Sequence, residues 1–127
     1  MAKELINPPG TEEIYKNWKF SQAVKVGNTI HVSGQTGFGP DGIPDDIEGQ
    51  TRLALQSLER VLKEAGASLS DVVATTVYHT DMGEIGKAQS VRDEFFKENY
   101  PANTIVGVTA LALPQLRIEI QAVAITS

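Results

Sequence analysis

The sequence predicts an α+β sandwich, with two helices laid on one face of a β-sheet. Three observations lead there. Two stretches, about Ile47 to Ala65 and about Ile85 to Asn99, repeat apolar residues at a helical period. The other ordered stretches are rich in Val, Ile and Thr, which suit a pleated, half-buried surface. Their order along the chain is β-β-α-β-α-β-β. No internal repeat, low-complexity tract or linker divides the chain, so residues 1–127 are expected to form one domain.

Each element has a local reason. Phe20 to Val26 and Thr29 to Ser33 read as strands joined by a Gly27-Asn28 hairpin turn. Gly34 to Pro44 reads as a glycine-rich loop. Its Gly34, Gly37 and Gly39 run into Pro40 and Gly42 rather than a helix, so they are no dinucleotide fingerprint. Asp45, Asp46 and Glu48 complement the positive end of the first helix. In that helix Leu55, Leu58, Leu62 and Ala65 form the inward stripe, while Arg52, Gln56, Glu59 and Lys63 form another face. Gly66 is placed to close it in the left-handed conformation. Val72 to Thr80 is the third strand. The second helix turns Ala88, Val91 and Phe95 inward and is expected to run until Pro101 stops it. Thr104 to Val108 and Arg117 to Ile125 complete the sheet. In the last strand Ile118, Ile120 and Ala122 point one way, and Arg117, Glu119 and Gln121 the other. The first set should meet the helices; the second suggests a semi-polar contact with another subunit.

Composition narrows the function. With no cysteine, disulfides, thiolate nucleophiles and thiolate metal sites are excluded. The 16 acidic residues outnumber the 11 scattered basic ones, giving a net charge of -5 and no basic stripe for phosphates. A small molecule is the expected partner, not a nucleic acid. No apolar run approaches the ~20 residues of a membrane span, and no apolar signal region opens the chain. A cytoplasmic location is the resulting expectation. His31 and His79 lack metal-ligand spacing and an acidic partner in any recognisable motif, so neither a metal site nor a Ser-His-Asp triad is expected. Tyr15 and Trp18 are read as packing residues rather than platforms for bases.

Pro101-Ala102-Asn103-Thr104, followed by Leu113-Pro114-Gln115-Leu116-Arg117-Ile118-Glu119-Ile120-Gln121-Ala122, resembles the C-terminal signature of the RidA (YjgF) family. Val32-Ser33-Gly34-Gln35, Glu64-Ala65-Gly66 with the residues to Val73, and Glu94-Phe95-Phe96 are similar to further family segments, in family order. The resemblance implies a chorismate-mutase-like sandwich around a mixed sheet. It also implies a homotrimer with small-molecule clefts between subunits, no cofactor, and hydrolysis of reactive enamines and imines. Ser33 and the Gly34 backbone match groups lining the family cleft, and Glu119 matches the glutamate that positions water or relays a proton. Phe20 falls where many members have a tyrosine, Gln89 opposite a helix asparagine, and Ile105 at a frequent cysteine.

The main departure is Asn103, which stands where the deaminases carry an arginine. Arginine holds a carboxylate by two parallel charge-assisted bonds, whereas a neutral amide does not. Ligand choice is therefore expected to change, and Asn103→Arg to restore part of a deaminase activity. Each residue also has a plainer reading. Glu119 is a general acid/base, or a structural carboxylate bonded to backbone or to Arg117. Ser33 binds a ligand carbonyl, or caps the turn after its strand. Asn103 contacts ligand, or caps a turn after Pro101. The leading functional reading is an enamine/imine deaminase-like hydrolase with altered or lost activity. The alternative is a non-catalytic metabolite binder. Ribonuclease activity or translation inhibition of the endoribonuclease L-PSP type ranks third, disfavoured by the acidic charge.

Overall fold

The structure, a computed structural model, describes residues 2–127. Strands β1 (Glu4–Ile6), β2 (Ala23–Val26) and β3 (Thr29–Thr36) precede helix α1 (Ile47–Glu64). Strand β4 (Val72–His79), helix α2 (Ile85–Phe95), β5 (Ala102–Gly107) and β6 (Ile118–Ile125) follow. The six strands form one sheet in the order β1-β2-β3-β6-β4-β5. Neighbours are antiparallel except β4 and β5, which run parallel, with α2 as their crossover. The sheet is mixed and both helices cover one face, as the α+β reading expects.

Helix α1 begins where the Asp46 carboxylate accepts a hydrogen bond from the Gly49 N–H at 3.1 Å. Past its end, Gly66 takes φ +81, a backbone only glycine adopts without strain. Between those caps Leu55, Leu58 and Leu62 are fully buried against Ile30, Ile118, Ile120 and Ala122 of the sheet. Each such side chain contributes about 1.5–3 kcal/mol. Gln50 is equally buried, and both ends of its amide are used. Its Nε2 donates to the Pro44 and Gln115 carbonyls at 2.9 Å, and its Oε1 accepts from the Arg117 N–H at 2.8 Å. It thereby fixes the segment entering β6 against α1.

Several boundaries differ from the sequence reading. The edge strand β1 and a short π-helical turn at Ile14–Trp18 were not expected. That turn leaves Tyr15 and Trp18 exposed, so they are not packing residues within the subunit. Strand β2 starts at Ala23, leaving Phe20 outside the sheet. Strand β3 continues through Gly34 to Thr36 with a register shift between Val32 and Gln35. The loop thus begins at Gly37, and Gly34 marks an irregular strand rather than a loop. Helix α2 ends at Phe95, because Phe96 turns extended (φ -113, ψ 102) and buries its ring.

Candidate functional site

The residues singled out from the sequence fall into two groups on opposite faces of the sheet. The first lies on the face without helices. Glu119 alternates with the buried Ile118 and Ile120, so its carboxylate projects away from the core. It lies flush against Gly34, where a Cβ would collide with the Glu119 carboxylate. A strand residue other than glycine would displace that carboxylate. Beside them the Ser33 hydroxyl donates to the Ser21 carbonyl at 2.7 Å, and the Ser33 N–H to the Gln22 carbonyl at 2.9 Å. Ser33 thus ties Ser21 and Gln22 to β3, and Phe20, the residue before that segment, is exposed.

Glu119 is half-buried and among the described residues forms no ion pair. Arg117 is not its partner: Arg117 Nε pairs with Glu84 at 2.9 Å, and its Nη2 donates to the Asp45 carbonyl at 2.7 Å. Loss of solvent pushes the Glu119 carboxyl above the usual carboxylate range. A carboxyl shifted in this direction is a better proton acceptor than an ordinary one.

The second group sits on the helix-bearing face, where α2 crosses the edge strand β5. Asn103, Ile105 and Gln89 line one small void there with Thr51, His79 and Arg92. Asn103 is a strand residue in register with Thr75, so it caps no turn. Its Oδ1 accepts from the Thr75 hydroxyl at 2.8 Å and from Arg92 Nη1 at 3.1 Å. Arg92 Nη2 donates to the Thr75 hydroxyl at 2.9 Å, and the guanidinium lies 5.0 Å from the centre of the Phe96 ring. Gln89 is exposed and donates to the Asp93 carboxylate at 2.8 Å. Ile105 packs against the edge of the core. His79 is 1% exposed and its Nδ1 has no hydrogen-bond partner. Burial lowers its pKa against the pull of Glu84 and Asp81, which favours the neutral ring. The adjoining void, about 20 Å³, has room for one water.

Strand β4 lies between β6 and β5, so a single subunit does not bring Glu119 and Asn103 into one pocket. Sequence reasoning missed Arg92 and Thr75, and weighed His79 only as a metal ligand or triad base. The available signal was positional. Arg92 shares the helical stripe of Ala88 and Phe96, and an arginine on an otherwise inward stripe needs a partner. Among the described residues no cluster of three His, Asp or Glu side chains could hold a metal. Among these same residues no helix is long and apolar enough to cross a membrane.

A family model described as Endoribonuclease L-PSP matches residues 10–126. A RutC family protein of Pyrococcus abyssi is 41% identical over 128 residues, covering 98% of each chain. The human 2-iminobutanoate/2-iminopropanoate deaminase is 37% identical over 109 residues, covering 84% of this chain and 79% of that one. Among solved structures, Rv2704 of Mycobacterium tuberculosis, from the YjgF/YER057c/UK114 family, matches with a TM-score of 0.87. It is 36% identical and is covered over 100% of its length by 98% of this chain.

Proposed function

The chain belongs to the RidA (YjgF) family, and from that footing we propose that it hydrolyses reactive C=N or enamine bonds of small metabolites, with substrate choice altered by Asn103. The observation that carries this reading is Glu119: a half-buried, unpaired carboxylate laid on the Gly34 backbone. In the proposed reaction Glu119 takes a proton from water as the oxygen attacks the imine carbon. The C=N bond gives way to C=O, and the nitrogen leaves as ammonia after receiving protons by way of the same carboxyl. The Ser33–Gly34 segment orients the substrate. The cleft closes when a neighbouring copy in a homotrimer brings its Asn103, Ile105 and Gln89 opposite, with Phe20 at its edge.

The experiment is a coupled assay that generates 2-iminopropanoate from an amino acid in situ. The expected rate is about ten- to a hundredfold below that of an arginine-bearing relative, since the strand contributes an amide and no cation there. Glu119→Gln should remove the activity. A rate no higher than spontaneous hydrolysis would overturn the catalytic reading and leave the non-catalytic binder. That second reading has its own support: the Ser33 hydroxyl and Asn103 Oδ1 are both engaged in holding backbone and neighbouring side chains.

A further inference from the structure

We propose that Arg92, on helix α2, anchors a carboxylate in the cleft between α2 and the segment leading into β5. This deepens the reading above by naming the substrate class, and it rests on that cleft being a metabolite site.

Arg92 is a cation that feels Asp93 beside it on the helix but forms no ion pair with it. The ion pairs among the described residues are Arg52–Glu94 and Arg117–Glu84, and neither involves it. Its direct partners are the Asn103 amide oxygen, the buried Thr75 hydroxyl and the Phe96 ring. None of the three carries charge. Asp93, next along the helix, receives the Gln89 amide instead. The guanidinium has also lost part of its water, enough to lower its pKa. A desolvated charge without a directly paired counter-charge is costly, and a ligand carboxylate would supply that pair.

The geometry suits a carboxylate. A guanidinium has five N–H donors in a fixed fork. Here two are spent on Thr75 and Asn103. The three left suffice for a two-pronged carboxylate contact. Because Thr75 also donates to Asn103 Oδ1 at 2.8 Å, the fork is held before any ligand arrives. Beside it opens a cleft of about 330 Å³, walled by Arg92, Asp93, Phe96, Tyr100, Pro101 and Asn103. That volume matches a small metabolite. The single cation, with Asp93 on the same wall and a net charge of -5 on the chain, favours a monoanion over phosphate. The cation missing at position 103 is thus replaced only in part, from the helix packed against it.

The test is calorimetric titration of the intact protein with pyruvate, with its neutral amide pyruvamide, and with inorganic phosphate. Pyruvate should bind more tightly than either. Arg92→Gln should weaken pyruvate by about ten- to a hundredfold and leave pyruvamide within about twofold. Asn103→Asp keeps Arg92 but sets a carboxylate against it, and should compete pyruvate away. Thermal melts of both variants check that they fold. Arg92→Lys should recover part of the affinity. Absent pyruvate binding, equal binding of pyruvate and pyruvamide, tighter phosphate binding, or an Arg92→Gln variant that binds pyruvate normally would each overturn the proposal. Turnover of 2-iminopropanoate separates the two readings. Turnover with a KM unmoved by Arg92→Gln would sink the anchor and spare the hydrolase. Arg92-dependent binding without turnover would do the reverse.

Discussion

The raised pKa of Glu119 bears on the pH behaviour of the fold as well as of the proposed chemistry. Its folded pKa is raised above the ordinary 4.5, so between those values the folded chain holds a proton that the unfolded chain has released. The group's contribution to stability is complete below pH 4.5 and is lost as pH rises through the raised value. Glu119→Gln should therefore melt higher than the parent at pH 8 and level with it near pH 4. Turnover should fall by roughly 10²–10⁴. A parent-like pH profile of Tm in the variant would show that the carboxylate is well solvated. At position 103 the family motif makes the missing arginine readable, but it hides what replaces it. No motif marks Arg92; only the packing of α2 on β5 brings it to Asn103. That contact reverses the simplest expectation for Asn103→Arg. A second guanidinium would meet the first, and like charges at contact repel by about 1–4 kcal/mol depending on screening. We predict that Asn103→Arg lowers the melting temperature. The double variant Asn103→Arg with Arg92→Gln should recover it, and should be the better deaminase. A thermal melt of the single variant that matches the parent would refute this.

Among the elements, the two helices show what periodicity can and cannot reveal. Helix α1 was expected to about Ala65 and runs to Glu64, because its stripe, its acidic cap and Gly66 all agree. Truncating that stripe at Leu58→Ala should cost about 2–5 kcal/mol, measurable by urea denaturation, since Leu58 has no solvent contact to relax into. Helix α2 was expected to reach Asn99 and stops at Phe95. A proline constrains the residue before it, not the turn before that, and burial of the Phe96 ring fixes the earlier end. Strand β1 escaped because Glu4–Ile6 offers three residues with one buried, too few to show alternation. Strand β3 was cut short because glycine reads locally as a loop, whereas Gly34 is needed for the close approach of Glu119. Gly34→Ala gives that claim a direct check. The added methyl should push the Glu119 carboxylate aside and remove turnover, while far-UV dichroism stays that of the parent. Retained activity would mean that the carboxylate works from another position.

At the scale of the whole molecule the decisive feature is the uncovered face of the sheet. Val24, His31 and Val123 lie across from one another on three adjacent strands, and Tyr78 donates to Gln121 at 3.0 Å on the next pair. The alternation of the last strand announced this mixed surface in the sequence. What a single chain's pattern did not contain is the relation proposed between Glu119 here and Asn103 behind the sheet, since that proposal requires a second copy. A sheet covered by helices on one side alone needs its other side covered too, and the proposed homotrimer does this while pairing the two half-sites. Val123→Glu tests cover and function together. Val123 is half-buried at the centre of this face, so in an isolated subunit a glutamate there has access to water and the fold should persist. In a trimer the same charge would be buried without a partner, at a cost of several kcal/mol for each copy. We predict that light scattering finds three times the monomer mass for the parent and the monomer mass for Val123→Glu. The variant should also lose turnover, although no residue placed at the site has been changed. A parent that is monomeric at micromolar concentration, or a monomeric variant that still hydrolyses imines at the parent rate, would break the link between assembly and activity.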